Sequence, residues 1–180
     1  MSKKLLRKKL LLYRKKNYKN LNINYNLLKQ TLEKINFLKN IVIGAYYPIN
    51  YEIDCFEILK KLNKSGYKIS LSVTKKNYEM DFFHWSFDDP LYLGKKGIPE
   101  PGKIKKAYPD VLLVPLVAFD KYKYRLGYGG GYYDRYINKI KKIKKVLTIG
   151  LAFSFQKIEA LPINKYDKKL DFILTEDYIK

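Results

Sequence analysis

The residues that could do chemistry lie in one segment, RLGYGGGYYDR, from Arg125 to Arg135. Glycines stand at 127, 129, 130 and 131, directly before a stretch of helical spacing. Glycine lets backbone N–H groups turn toward a ligand and approach it closely. At a helix N-terminus those donors and the helix dipole favour phosphate. The segment is not a Walker A loop, because no Lys-Ser/Thr pair follows the glycines. It does not fit GxGxxG either, since Tyr132 stands where the last glycine belongs. A flexible connection is the plain alternative. Arg125 before the glycines and Asp134 beside Arg135 after them argue against it. A carboxylate next to bound phosphates suggests magnesium.

The elements around this segment alternate between strand and helix. Residues 3–16 read as a basic amphipathic helix with Leu5, Leu6, Leu10 and Tyr13 on one stripe. Lys3, Arg7 and Arg14 share another face, which is either a solvated face or an anion site. Residues 24–39 read as a second helix, with Leu27, Leu28, Leu32, Ile35 and Leu38 inward. Strands are expected at 41–47, 67–74, 80–85, 111–114, 146–152 and 172–174. Helices are expected at 52–64, closed by Gly66, and at 132–142. Residues 88–108, rich in Gly and Pro, read as loop. The lysine run 139–145 reads as a solvated helix end that complements the dipole. Strands alternating with helices imply a mostly parallel sheet covered on both faces.

The chain has 180 residues, the size of one domain. With 47% hydrophobic residues, 18 Tyr and 9 Phe, it has ample surface to bury, which excludes disorder throughout. One cysteine, Cys55, excludes a disulfide framework, and one Cys with one His, His84, argues against zinc. Cys55 reads as a small buried helix residue and His84 as a packed or edge-strand histidine. The longest apolar run, 111–119, is interrupted by Pro115 and is too short to span a bilayer. No signal peptide is visible, so the expected compartment is the cytoplasm. The formal net charge is +20. The bases are 33 Lys and 4 Arg, with Asn, Ile and Tyr abundant, a bias that AT-rich codons produce. Such a charge attracts polyanions weakly and with strong salt dependence.

The segment from Pro109 to Arg135 closely resembles the signature of the 5-formyltetrahydrofolate cyclo-ligase family, also called methenyltetrahydrofolate synthetase. KKLLR from Lys3 to Arg7, YYPINYEID from Tyr46 to Asp54 and GIPEP from Gly97 to Pro101 are similar to its further motifs. GLAFSFQ from Gly150 to Gln156 and LPINKYDKKLDFILTED from Leu161 to Asp177 resemble its C-terminal part, in family order. The resemblance implies a three-layer α/β/α domain with a mostly parallel, mixed sheet, spanning 1–180. It implies ATP-dependent cyclisation of 5-formyltetrahydrofolate to 5,10-methenyltetrahydrofolate, with magnesium, in a monomer with no membrane and no specific nucleic acid. It assigns ATP to Lys3, Lys4, Leu5, Leu6 and Arg7 and to Arg125, Leu126, Gly127, Tyr128, Gly129, Gly130, Gly131, Tyr132 and Tyr133. Arg125 is also the catalytic candidate. Folate falls to Tyr47, Glu52, Tyr128, Gly129, Gly130, Gly131 and Tyr132, and the metal to Asp134 and Asp167. Tyr166, Ser72, Leu116 and Tyr124 depart from the family pattern and bear on loop shape and substrate fit. Two other readings remain open: a folate-binding remnant without turnover, and a basic RNA-associated protein.

Overall fold

Val111, Leu112, Leu113 and Val114 are all fully buried, which requires cover on both faces of their strand. In the computed structural model, which describes residues 2–18, 23–35 and 40–180, that cover is present. The elements in chain order are α1 (Lys3–Asn17), α2 (Tyr25–Lys34), β1 (Val42–Ala45), α3 (Phe56–Lys64), β2 (Lys68–Thr74), β3 (Met80–His84), β4 (Leu91–Leu93), β5 (Pro99–Pro101), β6 (Lys106–Ala107), β7 (Val111–Pro115), β8 (Ala118–Phe119), β9 (Arg125–Leu126), α4 (Tyr132–Ile140), β10 (Leu147–Leu151) and β11 (Phe172–Leu174). Seven strands form the main sheet in the order β11-β10-β7-β1-β2-β3-β6. The first five run parallel, β3 runs antiparallel to β2, and β6 antiparallel to β3. The fold is therefore α/β with a mixed, mostly parallel sheet.

Side chains of β7 alternate between two cores. Val111 and Leu113 pack with Leu28 and Leu32 of α2 and with Ile58, Leu59 and Leu62 of α3. Leu112 and Val114 pack with Tyr136, Ile137 and Ile140 of α4 on the other face. This two-residue period is what a strand demands. A smaller cluster joins Leu6 of α1 to Val117, Ala118, Leu126 and Leu161.

Helix α1 begins at Ser2, whose Oγ accepts the Leu5 N–H at 3.3 Å. Helix α2 begins at Asn24, whose Oδ1 accepts from Asn26 and Leu27. It ends at Lys34 rather than 39, and Leu38 lies outside the described residues. Helix α3 starts at Phe56, not Glu52: Asp54 Oδ1 accepts the Phe56 N–H at 2.8 Å and sets the start there. The expected loop 88–108 contains structure. Strands β4 and β5 form an antiparallel hairpin, with Leu91 opposite Pro101 and Leu93 opposite Pro99, and β6 joins the main sheet edge. Two prolines in a short hairpin strand read as breakers, yet an edge strand tolerates them. Strands β8 and β9, also unexpected, pair antiparallel. The lysine run is partly engaged: Lys139 pairs with the buried Asp81, and Lys144 with Asp110.

Candidate active site

The sheet order dictates where a ligand fits. From β1 the chain builds outward through β2 on one side, and β7, β10 and β11 lie on the other. The reversal lies between β1 and β7, and crevices at carboxyl ends of strands at such a point hold ligands in open α/β sheets. A cavity of about 710 Å³ opens there. Tyr46 and Tyr47 follow β1, Ser72 and Thr74 end β2, and Pro115 ends β7, and all five line it.

One end of the cavity is built from the glycine segment. Gly129 has φ +103 and Gly131 φ +67, conformations that a side chain strains against. Gly131 is the residue at which α4 begins, with no side-chain cap, so the helix N-terminus opens into the cavity with its N–H donors unclaimed by a capping side chain. A Cβ added at Gly127 would meet no atom within 4 Å, which makes this position an open cradle. Arg7 Nε donates to the Gly127 carbonyl at 2.6 Å and fixes the loop from α1.

Around that loop stand matched charges. Arg125 is 9% exposed; its Nη2 donates to Asp134 Oδ1 at 2.8 Å and its Nη1 to the Lys168 carbonyl at 3.1 Å. Burial lowers the guanidinium pKa, and the Asp134 charge opposes that shift. Lys3 Nζ pairs with Asp167 Oδ2, which also accepts the Asn164 N–H. These contacts engage Oδ2 of Asp167 and Oδ1 of Asp134, which also accepts the Lys168 N–H at 3.1 Å. No cluster of three or more metal-ligating His, Cys, Asp or Glu occurs among the described residues. Two carboxylates beside the glycine segment still fit magnesium, which is commonly held by one or two carboxylates plus substrate phosphates.

The same cavity carries Glu52. It is 6% exposed and lines the cavity. Its Oε2 accepts the Ile49 N–H at 2.9 Å. Burial pushes its carboxyl up to about 7, while the Ile49 N–H, Arg14 and the Tyr128 hydroxyl pull the other way. Tyr47, packed edge-on against Phe56, stands in the same wall. The β4–β5 hairpin arches over it: Gly94, Lys96, Ile98, Pro99 and Glu100 line the cavity, and Lys96 reaches the hydroxyl of Tyr132.

The cavity wall thus gathers Lys3, Arg7, Tyr47, Glu52, Arg125 to Asp134, and Asp167. It does not gather Lys4, Leu5 and Leu6. Helical spacing brings i and i+4 to one face, so Lys3 and Arg7 face the cavity while Lys4 and Leu5 are exposed and Leu6 packs inward. Arg14 is neither on a solvated face nor in the cavity wall; it is 1% exposed. Of the departures from the family pattern, Ser72 and Tyr166 stand in the cavity wall, Leu116 is core, and Tyr124 packs beside Leu126. Sequence reasoning missed the hairpin residues and Asn164. Cys55 is fully buried with its Sγ donating to the Tyr46 carbonyl, and burial pushes its thiol up, away from nucleophile chemistry.

The model of the 5-formyltetrahydrofolate cyclo-ligase family matches residues 1–176. The chain belongs to that family. It is 35% identical over 140 residues to the 5-formyltetrahydrofolate cyclo-ligase of Haemophilus influenzae, covering 73% of this chain and 74% of that one. It is 39% identical over 150 residues to the enzyme of that name from Mus musculus, covering 75% and 73%. The structure of Aquifex aeolicus 5,10-methenyltetrahydrofolate synthetase superposes with a TM-score of 0.76 at 30% identity, covering 100% of this chain and 92% of that one. This member of the ligase family contains no helix, among the described residues, long and apolar enough to cross a membrane.

Proposed function

We propose that this chain converts 5-formyltetrahydrofolate and ATP to 5,10-methenyltetrahydrofolate, ADP and phosphate. The observation that carries the reading is a cavity at the switch point of the sheet that brings a glycine-rich helix N-terminus together with a buried carboxylate. A formamide carbon is a weak electrophile and its oxygen a poor leaving group. Phosphorylation of the oxygen changes both. The formyl oxygen attacks the γ-phosphorus, and the bond from that phosphorus to the ADP oxygen breaks. N10 then closes onto the activated carbon, its proton is lost, and phosphate leaves with the formyl oxygen.

The protein's task is to position two ligands and to balance charge. The N–H groups of the glycine segment and the α4 terminus suit the phosphates, joined by Lys3 and Arg7 from α1. Arg125, held in place by Asp134 and the Lys168 carbonyl, stabilises charge on the transferring group. Glu52 accepts paired N–H donors of the pterin, and Tyr47, Tyr128 and Tyr132 border the rings. Asp134 and Asp167 are the residues to hold magnesium, which when bound neutralises phosphate charge. The positive surroundings suit both ATP and the glutamate tail of the folate.

The test is the absorbance of 5,10-methenyltetrahydrofolate after mixing protein, 5-formyltetrahydrofolate, ATP and magnesium, with each omitted in turn. A rise that needs all of them is expected. Folded protein that binds the folate without turnover would be a sequestering remnant. Folded protein that binds no folate would return the nucleic-acid reading.

A further inference from the structure

Arg14 shares a helix face with Lys3 and Arg7 yet does a different job. Its guanidinium reaches from the last turns of α1 to three separate segments. Nη1 donates to the Leu116 carbonyl at 3.0 Å, just past β7. Nη2 donates to the Asn50 carbonyl at 2.8 Å and to the Tyr128 hydroxyl. Arg14 makes no salt bridge among the described residues: neutral acceptors take its Nη donors, its Nε has no partner, and its charge pulls down the carboxyl of Glu52.

The segment at Asn50 is strained. Asn50 and Tyr51 adopt φ of 49° and 63° in succession, a left-handed pair with no glycine in it. The end of α1 grips that turn a second and third time. Lys15 Nζ lies 5.8 Å from the Tyr51 ring centroid, and Tyr18 packs edge-on at 5.5 Å. The residue that follows the turn is Glu52. Glu52 N–H donates to the Ile49 carbonyl and Glu52 Oε2 accepts the Ile49 N–H, both at 2.9 Å. Tyr128, the other acceptor of Nη2, belongs to the glycine segment.

We propose that Arg14 is a positioning residue that clamps the strained Asn50–Tyr51 turn against Tyr128 and thereby fixes Glu52 in the folate end of the cavity. The proposal rests on the folate reading above. A planar guanidinium holds its N–H donors in a rigid fork set to several acceptors at once, whereas a lysine ammonium is a compact charge on a flexible stem. Loss of the clamp frees the turn to leave its left-handed conformation, and Glu52 follows.

The test uses Arg14→Lys, Arg14→Gln and Tyr128→Phe, with Gln156→Ala as the control. Gln156 Nε2 donates to the same Leu116 carbonyl and to Val117 but touches neither Asn50 nor Tyr128. In ligand-free protein, hydrogen exchange at the Ile49 and Glu52 amides should rise about tenfold in both Arg14 variants, as loss of one charged hydrogen bond implies. The dissociation constant for 5-formyltetrahydrofolate should rise by a similar factor, and that for ATP by less than about threefold, on the same basis. Gln156→Ala should lower the melting temperature and leave both local amides unchanged. A folded Arg14→Lys with wild-type exchange at Ile49 and Glu52 overturns the proposal. Should the Arg14 variants fail to fold, Tyr128→Phe decides, and unchanged exchange at both amides overturns it equally. Wild-type protein that binds no folate overturns the functional reading and the folate half of this inference, and the exchange result still decides the clamp.

Discussion

Replacing Glu52 by Gln separates what this carboxyl does for the fold from what it does for a ligand. Its pKa rises from 4.5 to about 7 because it is buried. An upward shift of that size corresponds to about 3 kcal/mol between neutral and ionised forms. The folded protein holds the proton more tightly than the unfolded chain, so stability falls as pH rises across this window. The contribution of the neutral carboxyl is fully present below pH 4.5 and is lost as pH rises through 7. Gln keeps the shape and an oxygen for the Ile49 N–H, but it stays neutral. Urea unfolding of the two proteins should therefore agree near pH 5 and diverge above it. At pH 8 the variant should be more stable, by up to about 3 kcal/mol. Folate binding should run the other way, because pterin N–H donors need the carboxylate. The ionised fraction grows from about one tenth at pH 6 to about nine tenths at pH 8, so wild-type affinity should rise about tenfold, with a proton released on binding. The variant should bind weakly at every pH. Parallel stability curves for the two proteins from pH 5 to 8 would refute the reasoning.

Gly127→Ala and Gly150→Ala make a contrasting pair. The first adds a methyl to open space, so the melting temperature should hold while the KM for ATP rises about fivefold or more, from blocked backbone approach. The second drives a methyl within 2.7 Å of Leu170 and 2.8 Å of Ile173 and Leu116, and should cost about 2 kcal/mol in denaturant unfolding with both KM values unchanged. Arg125→Lys keeps a charge but loses the fork shared by Asp134 and the Lys168 carbonyl; kcat should fall about a hundredfold. Chelation by EDTA should abolish ADP formation, added magnesium should restore it, and Asp134→Asn should raise the magnesium concentration needed.

Much of the scaffold was legible because its periods are strong. β7 is apolar at every position, and α4 repeats its apolar residues at Tyr136, Ile137 and Ile140, so each announces its burial. The glycine segment was legible as a tight turn leading into a helix for the same local reason. What failed was longer-range. Spacing along α1 places Lys3, Arg7 and Arg14 on one face, but it does not say what covers that face. The face runs from the open cavity at Lys3 to the interior at Arg14, where the turn after β1 closes over it. Glu52 read equally well as a helix residue because the Asx turn at Asp54 is a short, common pattern. The β4–β5 hairpin was hidden by its prolines, and its place over the cavity depends on tertiary packing alone.

The arginines resolve the question that the net charge raised. Lysine outnumbers arginine 33 to 4, and most of the lysines are surface residues. Three of the four arginines, Arg7, Arg125 and Arg135, line the cavity, and the fourth, Arg14, is buried and bonds the cavity residue Tyr128. Arg7 holds the Gly127 carbonyl, Arg14 holds Asn50 and Tyr128, Arg125 holds Asp134 and the Lys168 carbonyl, and Arg135 holds the Gly130 carbonyl. Each guanidinium secures a segment of the cavity wall, and two of them join several segments at once. That work needs directed donors on a rigid plane, which an ammonium on a flexible stem does not supply. A general demand for positive charge would be met by lysine in either place. The distribution separates the two uses of cations: lysine supplies the diffuse charge of the surface, and arginine bonds the loop carbonyls in and beside the cavity wall.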